Sequence, residues 1–365
     1  MTPIQLKRFL AHVFKRNNKL QESGQRGTPI MIWGTHGLGK TQMVFDYARD
    51  NGWKIAYCAP AQFEEMGDLH GMPMVMDPDK DVQGDEYTVY SPPDWIPKEE
   101  GPGILLLDDV NRADDRILRG IMQLLQHFEM LSWKLPPKWQ IVATANPDSG
   151  DYSVTSMDDA MLTRMIHVTL EFEPKAWAEW ASVCNIDRRG IDFVLTYPES
   201  VTGKRTTPRS LVQFLEQIND IEDLKGDMEI VLALAKSTLD DTTVNSFMAF
   251  VNDDLSRLPS PEDILDAQDF KDVAKEVEAL SAGEDGVKRT DRLSAICSRL
   301  FIHMKGEAFK PRPVNKENLV QFMLLECIPK DLVMGLYMDI MRESGREVKD
   351  MVKDKRLASI LVESL

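Results

Sequence analysis

An α/β fold is predicted for this 365-residue chain: a parallel sheet flanked by helices, then an α-helical lid and a further helical C-terminal region. Three features carry the expectation. Gly34 to Thr41 form a glycine-rich loop between an apolar run and an amphipathic segment. Ile104 to Leu107 are uninterruptedly apolar, as a parallel strand buried on both faces must be, and Asp108-Asp109 follow at its carboxyl end. After Pro174 the strand-like runs stop and helical spacing takes over.

Taken in order, Leu6, Phe9, Leu10, Val13 and Phe14 recur at helical spacing and predict an N-terminal amphipathic helix before a Glu22 to Thr28 turn. Thr28 to Trp33 read as a strand entering the glycine loop, and Thr41 to Arg49 as the helix leaving it. Lys54 to Ala59 read as a second strand. Met66 to Pro97, rich in Gly, Pro and Asp, reads as an insertion or long loop. Beyond the Ile104 strand, Asp114 caps a helix with Ile117, Ile121, Leu124, Leu125 and Phe128 on one face. Glu129 to Lys138 suggest a short hairpin, and Gln140 to Thr144 and Met165 to Leu170 two more strands. Between these strands Met157 to Arg164 form a short helix, with Ser156 as cap and Asp159 as capping-box acid. Lys175 to Val183, Arg189 to Leu195 and Pro208 to Ile221 read as lid helices. From Gly226 the chain is helical and acidic, broken at Leu258-Pro259-Ser260-Pro261 and at a Ser281 to Asp285 turn. The expected domains are 1–172, 173–225 and 226–365.

The spacing Gly34-x4-Gly39-Lys40-Thr41 is that of a P-loop. Glycines let the backbone turn with its N–H groups inward, Lys40 supplies a cation for the β- and γ-phosphates, and Thr41 offers a hydroxyl to magnesium. The helix N-terminus near Lys40 adds its own positive end. The binding segment is therefore Gly34, Thr35, His36, Gly37, Leu38, Gly39, Lys40, Thr41 and Gln42, with His36 a variable loop position rather than a base. Asp108 can hold magnesium through water, and Asp109 can position or deprotonate an attacking water.

Ile141 to Pro147 form a strand ending in the Asn146 amide, which can orient that water. Arg164 can stabilise phosphoryl-transfer charge, within its own subunit or in a neighbour's site. Thr207-Pro208-Arg209 place a cap, a first-turn proline and a cation against the helix dipole, an arrangement that a nearby anion would compensate. Gly34, Asp108 and Asn146 all fall at the carboxyl ends of strands, where ligands of such sheets bind.

Composition bounds the function. A net charge of −16 argues against wholesale binding of nucleic acid. No apolar run reaches the roughly 18 residues needed to span a bilayer, and no signal-peptide core precedes Leu20, so no membrane insertion and a cytoplasmic location are expected. Cys58, Cys184, Cys297 and Cys327 lack metal-site spacing and read as buried small apolar residues. His70 alone is no metal ligand. Trp177 and Trp180 read as lid core, and Met323, Met334, Met338 and Met341, with their neighbouring leucines, as helix packing.

The P-loop, Asp108 to Ala113, Ala143 to Pro147, the Ala160 to Arg164 helix end and Thr207-Pro208-Arg209 occur in the order of an AAA+ ATPase, and together resemble its MoxR branch. The resemblance covers residues 5–225. It implies Walker A at Gly34 to Thr41, Walker B at Asp108 and Asp109, sensor 1 at Asn146, an arginine finger at Arg164 and sensor 2 at Arg209. It further implies ATP and Mg2+ as ligands, a hexameric homo-oligomer, a von Willebrand factor A domain partner and a chaperone-like action on a client protein. Met66 to Pro73 resemble the family's segment beside a pore-facing insertion, and Glu129 to Lys138 its second one. The family's second Walker B acid is glutamate, whereas Asp109 is one methylene shorter, which puts hydrolytic vigour in question. Two rival readings follow: a nucleotide-gated scaffold with weak hydrolysis, and a nucleic-acid motor using the Lys305 to Arg312 basic stretch.

Overall fold

The computed structural model describes residues 1–77, 86–147, 154–201, 203–252, 258–282, 288–306 and 309–357. The chain divides into two compact units, Met1–Phe172 and Glu173–Leu365.

The first unit is built on five strands, β1 (Ile30–Trp33), β2 (Lys54–Cys58), β5 (Gly103–Leu107), β8 (Trp139–Ala145) and β9 (Ile166–Thr169), in the order β2-β5-β8-β1-β9. Every pairing is parallel. Side chains alternate across the sheet, so β5 divides its apolar run between two cores. Ile104 and Leu106 pack with α1 (Pro3–Glu22) and α2 (Lys40–Asp50), whereas Leu105 and Leu107 pack with α4 (Asp115–His127). Burial on both faces explains why this strand carries no polar residue.

Helix α1 is fixed by more than its apolar stripe. Asn17 donates to the Thr28 carbonyl at 3.0 Å and to Gln140 Oε1 at 2.9 Å, and accepts from the Thr28 N–H at 3.0 Å. Its amide thus clasps α1 to the start of β1 and to β8 inside the core. The Asp114 carboxylate accepts from the Arg116 and Ile117 N–H groups, which starts α4 as expected.

The Met66 to Pro97 stretch, expected as an insertion or loop, contains regular structure: α3 (Met66–His70) and an antiparallel pair, β3 (Met72–Met76) with β4 (Tyr87–Ser91). Residues 78–85 lie outside the described residues. Gly71 turns the chain between α3 and β3 at φ +84°, where an added Cβ would fall on the Ser91 carbonyl. The hairpin is apolar yet open, with Met72 69% and Val75 70% exposed. Glu129 to Lys138 form the expected short hairpin, with β6 (Glu129–Met130) antiparallel to β7 (Trp133–Lys134).

One cap differs from expectation. The helix before β9, α5 (Asp159–Leu162), is capped by Asp158, whose carboxylate takes the Met161 N–H at 2.7 Å, rather than by Ser156. A carboxylate three residues before an N–H outcompetes a hydroxyl farther back, so the helix starts later.

The second unit is helical among its described residues: α6 (Pro174–Val183), α7 (Arg188–Thr196), α8 (Pro208–Ile218), α9 (Met228–Thr238), α10 (Asp241–Asn252), α11 (Pro261–Leu265), α12 (Phe270–Ser281), α13 (Thr290–Lys305), α14 (Pro313–Met323), α15 (Lys330–Glu343) and α16 (Arg346–Met351). Helix α8 stops at Ile218, short of Ile221. The break at Leu258 to Pro261 is the capped start of α11, with Ser260 accepting from Asp263 N–H. The Ser281 to Asp285 turn falls largely outside the described residues.

An aromatic nucleus joins α7, α8 and α10. Phe247 meets Phe214 edge-on at 4.9 Å between ring centroids and Phe193 at 5.1 Å. Trp177 is buried as expected, but Trp180 is exposed. Met323 is buried while Met338 faces solvent at 58%. Cys58 and Cys297 are buried, with burial pushing each thiol up to about 12, whereas Cys184 is exposed and Cys327 half-buried, against the expectation of four buried residues. Trp180 and Cys184, four residues apart, lie to the side of the buried stripe formed by Trp177, Ala178 and Ala181.

Phe247→Ala should cost about 3–5 kcal/mol by emptying the centre of that nucleus, measured as a lowered urea midpoint. An unchanged midpoint would show that the cluster does not support the second unit.

Candidate nucleotide site

The loop after β1 is shaped by backbone conformation and by space. Gly37 and Gly39 take φ of +71° and +90°, the left-handed region where a Cβ is penalised. Gly34 is needed for a different reason: its added Cβ would lie 3.1 Å from the Leu170 carbonyl and 3.0 Å from Leu38. Gly39 also forms the N-cap of α2 without a side-chain acceptor, so the first N–H groups of that helix are not satisfied by a capping side chain. Thr35 and Gln42 are exposed, and His36 and Leu38 are half-buried along the same turn.

Lys40 is buried, and its ammonium donates to the Gly34 carbonyl at 2.8 Å, the Thr35 carbonyl at 3.1 Å and Asn146 Oδ1 at 3.0 Å. Asn146 is fully buried at the end of β8. Its Nδ2 donates to Asp109 Oδ1 at 3.0 Å, so ammonium, carboxamide and carboxylate form a continuous chain. The carboxamide's orientation follows from this arrangement, since its oxygen meets the cation and its nitrogen meets the anion.

Asp108 is the second junction. Its Oδ1 accepts from the Thr41 hydroxyl at 2.7 Å and from the Thr144 hydroxyl at 2.6 Å, and Oδ2 accepts from Tyr57 at 3.1 Å. One carboxylate thus ties α2, β2 and β8 to the end of β5. A threonine hydroxyl beside a carboxylate, both hard oxygens, is a donor set suited to magnesium. Thr144 also accepts from the Asp109 N–H at 2.8 Å, which fixes the turn after β5. Asp109 there adopts φ 48°, and its carboxylate lies 3.4 Å from Arg112 Nε.

Lys40, Thr41, Asp108, Asp109 and Asn146 are therefore brought together by direct contacts. Arg164 and Arg209 are not among those contacts. Arg164 donates to Gln126 Oε1 at 3.1 Å and to the Ala160 carbonyl, so it is held at the end of α5. Arg209 belongs to the second unit, exposed in the first turn of α8. That turn is anchored by Asp240, which accepts from the Arg205 and Thr206 N–H groups at 2.9 and 2.7 Å.

Sequence reasoning missed four participants: Tyr57, Asn111, Arg112 and Thr144. Thr144 and Asn111 lay inside quoted motifs, but nothing local marks their partners, which are set by sheet register. Asn111 is buried and pairs twice with the Asn146 backbone, donating to its carbonyl at 2.7 Å and accepting from its N–H at 3.1 Å. Among the described residues, no group of three or more His, Cys, Asp or Glu has the arrangement of a metal site. None of the described helices is long and apolar enough to cross a membrane.

No family model matches the chain. Among solved structures it is similar to RuvB of Thermotoga maritima. The one described as the Holliday junction branch migration motor shares 17% identity at a TM-score of 0.39, covering 84% of this chain and 89% of that chain. A mutant form of the same protein shares 14% identity at a TM-score of 0.42, with the same coverage. Likeness of this depth carries nothing about activity, and the chemistry rests on the geometry above.

Asn111→Ala should leave the buried N–H and carbonyl of Asn146 without partners and lower stability by about 2–4 kcal/mol. Urea unfolding measures it, and a loss below measurement error would mean that the Asn146 backbone is held by other contacts.

Proposed function

We propose that this chain is an AAA+ ATPase of the MoxR type, hydrolysing ATP with Mg2+ at the subunit interfaces of a hexameric ring. In this reading it remodels or activates a client protein together with a von Willebrand factor A domain partner. The observation that carries the nucleotide part is the continuous contact of Lys40, Asn146 and Asp109 beside the Thr41–Asp108 pair. The ring, client and partner rest on the motif order alone.

Magnesium, held through Thr41 and Asp108, would supply charge neutralisation at the phosphates. Lys40 exchanges its three oxygen acceptors for phosphate oxygens, a swap that keeps a buried ammonium satisfied throughout. Released from Lys40, the Asn146 carboxamide orients a water, and Asp109, already within hydrogen-bond distance of Asn146, takes its proton. Arg164 neutralises developing charge in the neighbouring subunit's site. Arg209 couples nucleotide state to the angle of the helices that follow.

Steady-state turnover tests the assignment. Lys40→Ala should lose nucleotide binding, and Arg164→Ala should lower turnover on the order of a thousandfold while leaving binding intact. A near-normal rate in either removes that residue's role. Asp109→Glu separates an active ATPase from a weakly hydrolysing scaffold: a large gain in turnover favours the scaffold, and a loss favours Asp109 as the working base.

A further inference from the structure

The second unit holds an open groove of about 1430 Å³ between α7, α11, the C-terminal end of α13 and the start of α14. Its lining is basic in a protein of net charge −16: six arginines and lysines face four carboxylates. Those carboxylates are already engaged. Arg189 pairs with Asp187 at 2.5 Å, Lys305 with Glu179 at 2.8 Å, and Arg312 with Asp266. Glu262 lies 3.6 Å from Arg188, too long for a hydrogen bond, and 3.3 Å from His303.

Two cations of the lining have no lining carboxylate as partner. Lys310 is exposed and has no partner among the described residues. Arg299 is 5% exposed, and its Nη2 is a buried donor with no hydrogen-bond partner among the described residues. Its counter-ion, Asp192, lies on the core side at 2.8 Å from Nε. Burial pushes the Asp192 carboxyl up, against the pull of Arg299. Between the charges the lining is apolar, with Ile186, Ile191, Ile302 and Phe309.

We propose that this groove binds an acidic peptide segment of a partner protein, its carboxylates meeting Lys310 and Arg188 and its apolar side chains resting on Ile302 and Phe309. A nucleic-acid strand fits less well. The four interleaved carboxylates oppose a run of phosphates, and Phe309 with the His303 imidazole edge-on to it gives no platform for successive bases. Because this surface is confined to the second unit, the inference stands apart from the nucleotide reading.

Fluorescence anisotropy on the full chain tests it with a fluorescein-labelled peptide of Glu-Glu-Leu repeats. Binding should weaken with salt and drop about tenfold in the Lys310→Glu, Arg188→Glu double variant. Lys310→Glu alone should weaken it severalfold, and because that side chain is exposed and unpaired, the thermal midpoint should stay unchanged. The proposal is overturned by absence of binding, by unaltered affinity in both variants, by equal binding of a Lys-Lys-Leu peptide, or by preferential binding of a labelled oligothymidine.

Discussion

The carboxylate of Asp108 is the contact on which the first unit's functional geometry depends. It accepts from Thr41 at the start of α2, Thr144 in β8 and Tyr57 in β2, so three elements are referenced to the end of β5 by one side chain. Each bond to an ionised acceptor is stronger than a neutral one, and the partly buried setting raises the cost of losing any of them. The contact is possible because β5 is central, between β2 and β8, and Leu107 stands level with Ala143. The chain leaving β5 therefore arrives beside Thr144 and the P-loop. Hydrophobic burial of Ile104 to Leu107 fixes the strand's position, and that position places the acid.

This dependence explains what could be read from the sequence. The P-loop was legible because phosphate binding demands glycine, lysine and threonine at fixed local offsets, and the loop itself is one continuous segment. The central strand was legible because burial on both faces leaves an apolar run. The Asp108–Thr144 bond was not legible, since its members are 36 residues apart and only parallel register aligns them. The same holds for the Asn111–Asn146 exchange, which joins two loop ends through backbone groups. The order within the Met66 to Ser91 stretch was missed for another reason. Its Gly, Pro and Asp content matches a loop, while among the described residues its two strands pair with each other and β3 is exposed throughout. Trp180 and Cys184 were misplaced because the buried stripe of α6 is narrow, running through Trp177, Ala178 and Ala181, and spacing alone does not show its width.

Asp109 carries a constraint that bears on the missing methylene. Its φ of 48° lies in the left-handed region, which among non-glycine residues favours Asp and Asn, whose short polar side chains can bond locally. Its N–H is held by Thr144 and its carboxylate by Asn146 and Arg112. A longer glutamate here would keep the backbone cost and extend past the Asn146 amide. The shorter acid is thus consistent with a turn that brings the carboxylate close to Asn146 by backbone geometry instead of by reach. Arg112 Nε, 3.4 Å from the other oxygen of the same carboxylate, holds it from the opposite side.

Charge at this site is handed along a line rather than concentrated at one group. Lys40 is positive and buried, Asn146 is a neutral dipole, and Asp109 is negative, in that order. The dipole lets an opposite pair communicate without a direct salt bridge, whose rupture would leave both charges unpaired in a partly desolvated loop. An anion arriving at Lys40 draws the ammonium away from Asn146 Oδ1, and the freed carboxamide oxygen then needs a donor. In the proposed reaction a water bridging Asn146 and Asp109 would satisfy that need, so phosphate binding would itself create the demand for the water that is consumed. Such coupling follows from hydrogen-bond satisfaction alone and requires no movement of the sheet.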